Sequence, residues 1–379
     1  MNGPAYPAAH AVAPTIQSYF ADKVATALRQ GKTDLASAPD AAAIEAIIEA
    51  CFWASLRREE GYSPKISLAF MSPDQAQQPM RFENQLPLTP PVLSRLAPAV
   101  ERPGIHLGVW NENGALRLWG TTRTIPRLCF VLEVIEPGLL VVKYRRGRET
   151  GKYVNVAVLK GDQIKIVDEK GTSLPDCPDL VTALLGFGAP SFTADSVNVL
   201  VQLSASMRAH GRGGSLLVIP QGSQGWRESI LQHVPYAVRP PFPELAELMR
   251  KPAEDKNQTV WQEAFIDAVD AIAGLTAVDG AALITDQYEL LAFGAKITQR
   301  DGNGRVEQVV ATEPVVGNVA TIIQPLELGG TRHLSAAQFV FDQRDAIALV
   351  ASQDGRFTVF AWSPCEQMVH AHRVETLLM

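Results

Sequence analysis

Residues 326–362 read LELGGTRHLSAAQFVFDQRDAIALVASQDGRFTVFAW. The pair Gly329-Gly330 permits a tight turn with an exposed backbone. Thr331 is a good N-cap residue, and the spacing of apolar positions after it predicts a short helix over 332–341. The aliphatic run that follows reads as a buried strand, Asp354-Gly355 as a turn, and RFTVFAW as a second alternating strand. A helix feeding a strand and its return predicts a layered domain of helices on a sheet.

The helix start also suits an anion. It presents unpaired backbone N–H groups and the positive end of the dipole. Arg332 adds a bidentate fork for phosphate oxygens, and His333 adds a second donor. Read alone, the pair is equally a surface charge beside a satisfied polar residue.

Working back along the chain, Trp261, Ala264, Phe265, Ala268, Val269 and Ile272 form one apolar helix face that Gly274 closes. VDGAALI then turns into a buried strand, and YELLAFGAKI is its antiparallel partner. Asp279 sits at the strand start, where a carboxylate can hold a divalent metal or take a proton from a sugar hydroxyl. Gly280 allows a ligand to approach, and Ala281 leaves room beside it. Read alone, Asp-Gly is a plain turn.

Together the two elements, in this order and with VASQDGRFTVF behind them, resemble the diadenylate cyclase family over residues 258–365. The resemblance implies a mixed α/β sheet flanked by helices that binds one ATP. Two such domains would meet face to face with Mg2+ or Mn2+, each 3′-hydroxyl attacking the other α-phosphate. Cyclic di-AMP and two pyrophosphates would result. By position, Asp279, Arg332 and His333 would be catalytic, with Asp279 on the metal. Gly280, Ala281, Gly330, Thr331, Ser335, Ser352 and Gln353 would line the nucleotide. Two departures stand out. Leu334 replaces the second arginine of the family's Arg-His-Arg, and TQRDGNGRVEQVVATEPVVGN looks like an inserted hairpin.

The 379 residues suggest two domains, and 46% hydrophobic with 20% charged residues is enough to build cores. Residues 1–14, rich in Ala and Pro, read as a disordered lead-in, with helices over 15–30 and 41–58. Short β-type runs between 105 and 168 predict a small sheet, or two. A helix over 194–209 leads through HGRGG, a helix stop and turn, into the buried strand SLLVIP. The Pro- and charge-rich stretch ending near Asn257 predicts a boundary between an α/β sensor-like domain, 15–252, and the cyclase-like domain, 257–379. The first of these loosely resembles the DACNV sensor modules that precede such cyclases. His210 and His233 read as structural.

The net charge of -6 argues against nucleic acid as a partner, and the basic run Lys143–Lys152 reads as a solvated loop. No apolar window spans a membrane, and four scattered cysteines suggest reduced thiols in the cytoplasm. Three functions follow: an ATP-dependent cyclase under sensor control, a nucleotide-binding sensor without turnover, and an assembly protein in which the cyclase fold only dimerises.

Overall fold

The computed structural model describes residues 5–58, 61–145, 153–168, 199–231, 234–256 and 259–378. Cys177, His233, Arg146–Lys152 of the basic run and residues 194–198 of the expected helix lie outside them. The chain divides into two compact units, Met1–Val167 and Asp168–Leu378. Each has its own mixed sheet with helices, so the architecture is α+β in two domains.

In the first unit, α1 (Pro7–Arg29), α2 (Ala41–Ser55) and α3 (Pro90–Val100) accompany an eight-stranded sheet. Its strands are β1 (Ile66–Phe70), β2 (Met80–Pro87), β3 (His106–Glu112), β4 (Ala115–Thr122), β5 (Phe130–Glu136), β6 (Leu139–Arg145), β7 (Tyr153–Lys160) and β8 (Gln163–Ile166). The expected runs between 105 and 168 thus join one sheet, in the order β2-β4-β3-β1-β5-β6-β7-β8. Ile44, Ile47, Ile48 and Cys51 of α2 pack with Leu68, Leu132 and Val142 on one face of that sheet.

Residues 7–14 are not a disordered lead-in. Helix α1 begins at Pro7, where a missing N–H costs nothing, and buries Ala9, Val12, Ala13 and Ile16. The Tyr6 ring stacks on Phe52 at 3.7 Å. That burial offsets the internal Pro14, which by itself disfavours a helix.

In the second unit the sheet has nine strands: β9 (Gly214–Ile219), β10 (Tyr236–Phe242), β11 (Ala281–Thr285), β12 (Leu290–Ala295), β13 (Val309–Thr312), β14 (Thr321–Ile323), β15 (Ile347–Ala351), β16 (Phe357–Ser363) and β17 (Met368–Arg373). Its helices are α4 (Val199–Ala209), α5 (Glu244–Arg250), α6 (Ala253–Lys256), α7 (Thr259–Leu275), α8 (Pro325–Leu328) and α9 (Thr331–Asp342). Strand β9 lies between β11, to which it is parallel, and β15, to which it is antiparallel. All six of its residues are buried, as expected of a strand covered on both faces.

The expected boundary at 252–257 therefore falls inside the second unit. SLLVIP is buried almost throughout and carries no alternation, and its partners are strands over sixty positions later. The extra segment after Lys296 adds an edge hairpin, β13 against β14, with β13 parallel to β17. Its loop is tied to α9, where Asp342 accepts from the backbone N–H of Arg300 and the Nδ2 of Asn303.

Candidate functional site

One end of the nine-stranded sheet gathers the residues singled out around Asp279 and Arg332. Asp279 and Gly280 precede β11, Lys296 follows the antiparallel β12, and Gln353 follows β15. Gly213 leads into β9 between them. Because β9 and β11 run one way and β12 and β15 the other, these starts and ends meet at the same end of the sheet.

Asp279 is 93% exposed at its side chain, and its Oδ2 lies 2.5 Å from Lys296 Nζ. That hydrogen bond, reinforced by the Lys296 charge and by Arg332, holds the carboxyl below the usual range. Asp279 is thus ionised and carries a cation beside it.

Gly280 serves a different neighbour from the one expected. Its φ is +120°, and a Cβ there would stand 2.4 Å from the carbonyl carbon of Gly294. The close approach is made by the β12 backbone, rather than being an opening for a ligand. Ala281 is fully inside the sheet at 2% exposure.

Helix α9 starts one residue earlier than expected. Gly330 occupies the cap position without a side-chain bond, and Thr331 is the first helical residue, exposed. Arg332 runs back across the sheet end: its Nη1 would lie 2.8 Å from a Cβ on Gly213, whose φ is +71°. HGRGG is therefore both a turn and the seat of Arg332. A glycine just before the central strand was the available signal, but its spatial partner lies about 120 positions away.

His333 is buried at 2% exposure and turned from solvent. Its Nε2 is 3.4 Å from Thr358 Oγ1, its ring meets Phe360 edge to face, and it packs beneath Gly329. Burial pushes its pKa down to about 4, so it is neutral near pH 7. It supports the glycine turn from below. Leu334 is half-buried against the core of this sheet, and Ser335 is half-buried in the same helical turn.

Across from the helix, the β15–β16 turn holds Ser352, whose N–H donates to the Arg356 carbonyl. Gln353 Nε2 donates to the Arg212 carbonyl at 3.3 Å, joining this turn to the one before β9. Arg356 pairs with Asp354 at 3.0 Å and donates to the Leu328 carbonyl. His210 Nδ1 accepts from the Arg212 N–H at 3.1 Å.

Among the described residues no three His, Cys, Asp or Glu side chains gather as a metal site. A lone carboxylate still fits Mg2+, which is commonly held by one or two carboxylates and the substrate's phosphates. Asp279 is the residue that would hold it, in competition with Lys296.

The first unit contains a buried polar group that the sequence reading passed over. On the sheet face opposite α2, His106 Nδ1 is 2.7 Å from Ser67 Oγ and its Nε2 is 2.9 Å from the Tyr153 hydroxyl. Beside it Lys143 Nζ pairs with Glu133 at 2.6 Å and sits over the Tyr153 ring at 4.5 Å. Lys143, expected in a solvated loop, is therefore buried in a sheet.

Residues 33–123 match the family described as "Probable sensor domain DACNV". The matched stretch lies wholly in the first unit and runs from before α2 to the end of β4. No curated protein matches the chain. No helix among the described residues is long and apolar enough to cross a membrane.

Proposed function

We propose that the second unit binds ATP at the sheet end formed by Asp279, Lys296, Arg332 and Gln353, and condenses two ATP into cyclic di-AMP under control of the first unit. The observation that carries this reading is the convergence of Asp279 and Arg332 on one exposed edge, although they are 53 positions apart. A sensor-domain match in the same chain supports it, since a sensor needs an output.

The residue types suit the chemistry. Phosphoryl transfer asks a protein for positioning and charge stabilisation rather than for covalent help. Arg332 and the first N–H groups of α9 hold phosphate oxygens. His333, neutral and buried, fixes the turn that presents them. Asp279, already ionised, would accept the proton of the attacking 3′-hydroxyl or hold the metal, which would supply charge neutralisation on the phosphates. Each of two 3′-hydroxyls forms a bond to the other nucleotide's α-phosphorus, and each breaks one bond to pyrophosphate. Two copies are required, so a homo-oligomer with facing sites is part of the proposal.

A second reading has its own support. Leu334 supplies no cation, and Lys296 already occupies Asp279. On that reading the unit holds a nucleotide without cyclising it and reports its occupancy. Incubation with radiolabelled ATP and Mn2+ or Mg2+ at several protein concentrations separates the two. Cyclic di-AMP formed at a rate rising faster than linearly with protein supports the cyclase. Bound ATP without product supports the sensor, and neither binding nor product refutes both.

A further inference from the structure

At the opposite end of the same strands lies a cleft of about 250 Å³. Strand β11 leads into it at Thr285, and β12 leaves it at Leu291 and Ala292. A cleft of that size stands near the small end of ligand-binding clefts.

The cleft is built by an irregular edge. Between the paired residues Ala237 and Phe242, β10 advances five positions while β12 advances only from Ala292 to Leu290. The surplus residues bulge out of the ladder and carry Arg239 to the cleft wall. Arg239 is exposed, and no described residue pairs with it.

The same lining holds Arg227, whose guanidinium lies over the Trp226 ring at 4.5 Å and whose Nε donates to Gln224 at 2.9 Å. Trp226 itself is 4% exposed, and its indole N–H is buried without an acceptor. A buried donor left without an acceptor is costly, and this one is shut off from solvent. Glu289 is the acidic residue of the lining, and it is already engaged by Arg250 at 3.0 Å and Gln221 at 2.9 Å. The remaining charge of the lining is therefore positive, and its apolar members include Leu291 and Pro241.

We propose that this cleft is a second ligand site, independent of the ATP reading, which takes a small organic anion: a carboxylate or phosphate head between Arg227 and Arg239 on a flat apolar body. Isothermal titration of the full chain with phenyl phosphate, benzoate and the neutral benzamide tests it. Saturable binding of either anion is expected, weakened at least tenfold by Arg239→Ala and by Arg227→Ala, and unchanged by Arg332→Ala. Whichever anion binds identifies the head group, and benzamide does not bind. The proposal is overturned if neither anion binds, if benzamide binds equally, or if the double arginine variant retains the parent affinity in a chain whose circular dichroism is unaltered.

Discussion

Lys296 Nζ stands 2.5 Å from the carboxylate of Asp279, across the β11–β12 hairpin. The aspartate that an attacking hydroxyl or a metal would use is already charge-paired. Lys296→Met removes the hydrogen bond that depresses the Asp279 pKa most. The Asp279 carboxyl is expected to titrate at higher pH in the variant, by carbon-detected NMR. An unchanged midpoint contradicts the pairing.

Arg332 rests on Gly213, and Gly280 rests on Gly294. Gly213→Ala meets a flexible guanidinium at 2.8 Å and a left-handed φ, so about 1–2 kcal/mol is expected, together with weaker nucleotide binding. Gly280→Ala meets backbone at 2.4 Å and is expected to cost more than about 3 kcal/mol. Urea unfolding of both variants checks the order.

Leu334→Arg places a cation next to Arg332 at a half-buried position. If the second unit cyclises ATP weakly, this change is expected to raise the rate about tenfold or more, since one well-placed phosphate donor is worth about 2–4 kcal/mol. Product formation from labelled ATP, compared at equal protein concentration, measures it.

Burial lowers the pKa of His106 to about 4 and that of His333 likewise to about 4. The unfolded chain then binds more protons than the folded one between about pH 6.5 and 4, so stability rises with pH in that window. Acidification from 6.5 to 4 is expected to cost about 3 kcal/mol for His106 alone. His106→Gln, measured by urea unfolding of the full chain at pH 7 and pH 5, is expected to flatten that dependence while lowering stability at pH 7.

Tyr6 stacked on Phe52 ties the chain start to α2. Tyr6→Ala is expected to destabilise the first unit by about 3 kcal/mol, seen as a lower melting temperature. A chain lacking residues 1–14 is expected to lose more, because Val12 and Ala13 leave the core with it.

Much of the second sheet was legible because its signals are local. The aliphatic run of β15, the Asp-Gly turn and the alternation of β16 each specify their own conformation. So do the hairpin of β11 and β12 and the apolar face of α7. The strands β1 and β2 and the helix α3 were not legible, since eight prolines punctuate 63–103 and the pattern there is broken. Nor could periodicity reveal that SLLVIP belongs to the later strands, because a strand buried on both faces carries no mark of its partners. In the candidate site, Asp279 and Arg332 were singled out by their order in the family resemblance, and the fold brings both to one sheet end. Lys296 and Gly213 were not, since their roles depend on a pairing register.

The placement of β9 also bears on how the protein is made. During synthesis this central strand is produced first, yet Ala281, where β11 begins, lies 62 positions beyond Ile219. At ordinary elongation rates of about 5–20 residues per second, several seconds pass before either neighbour exists. Throughout that interval a strand dominated by Leu216–Ile219 has two bare edges, the kind of segment that pairs with other nascent chains. Slowing translation between Ile219 and Ala281 should therefore lower the yield of native protein and increase its dependence on chaperones, whereas the same delay after Ser363 should matter far less.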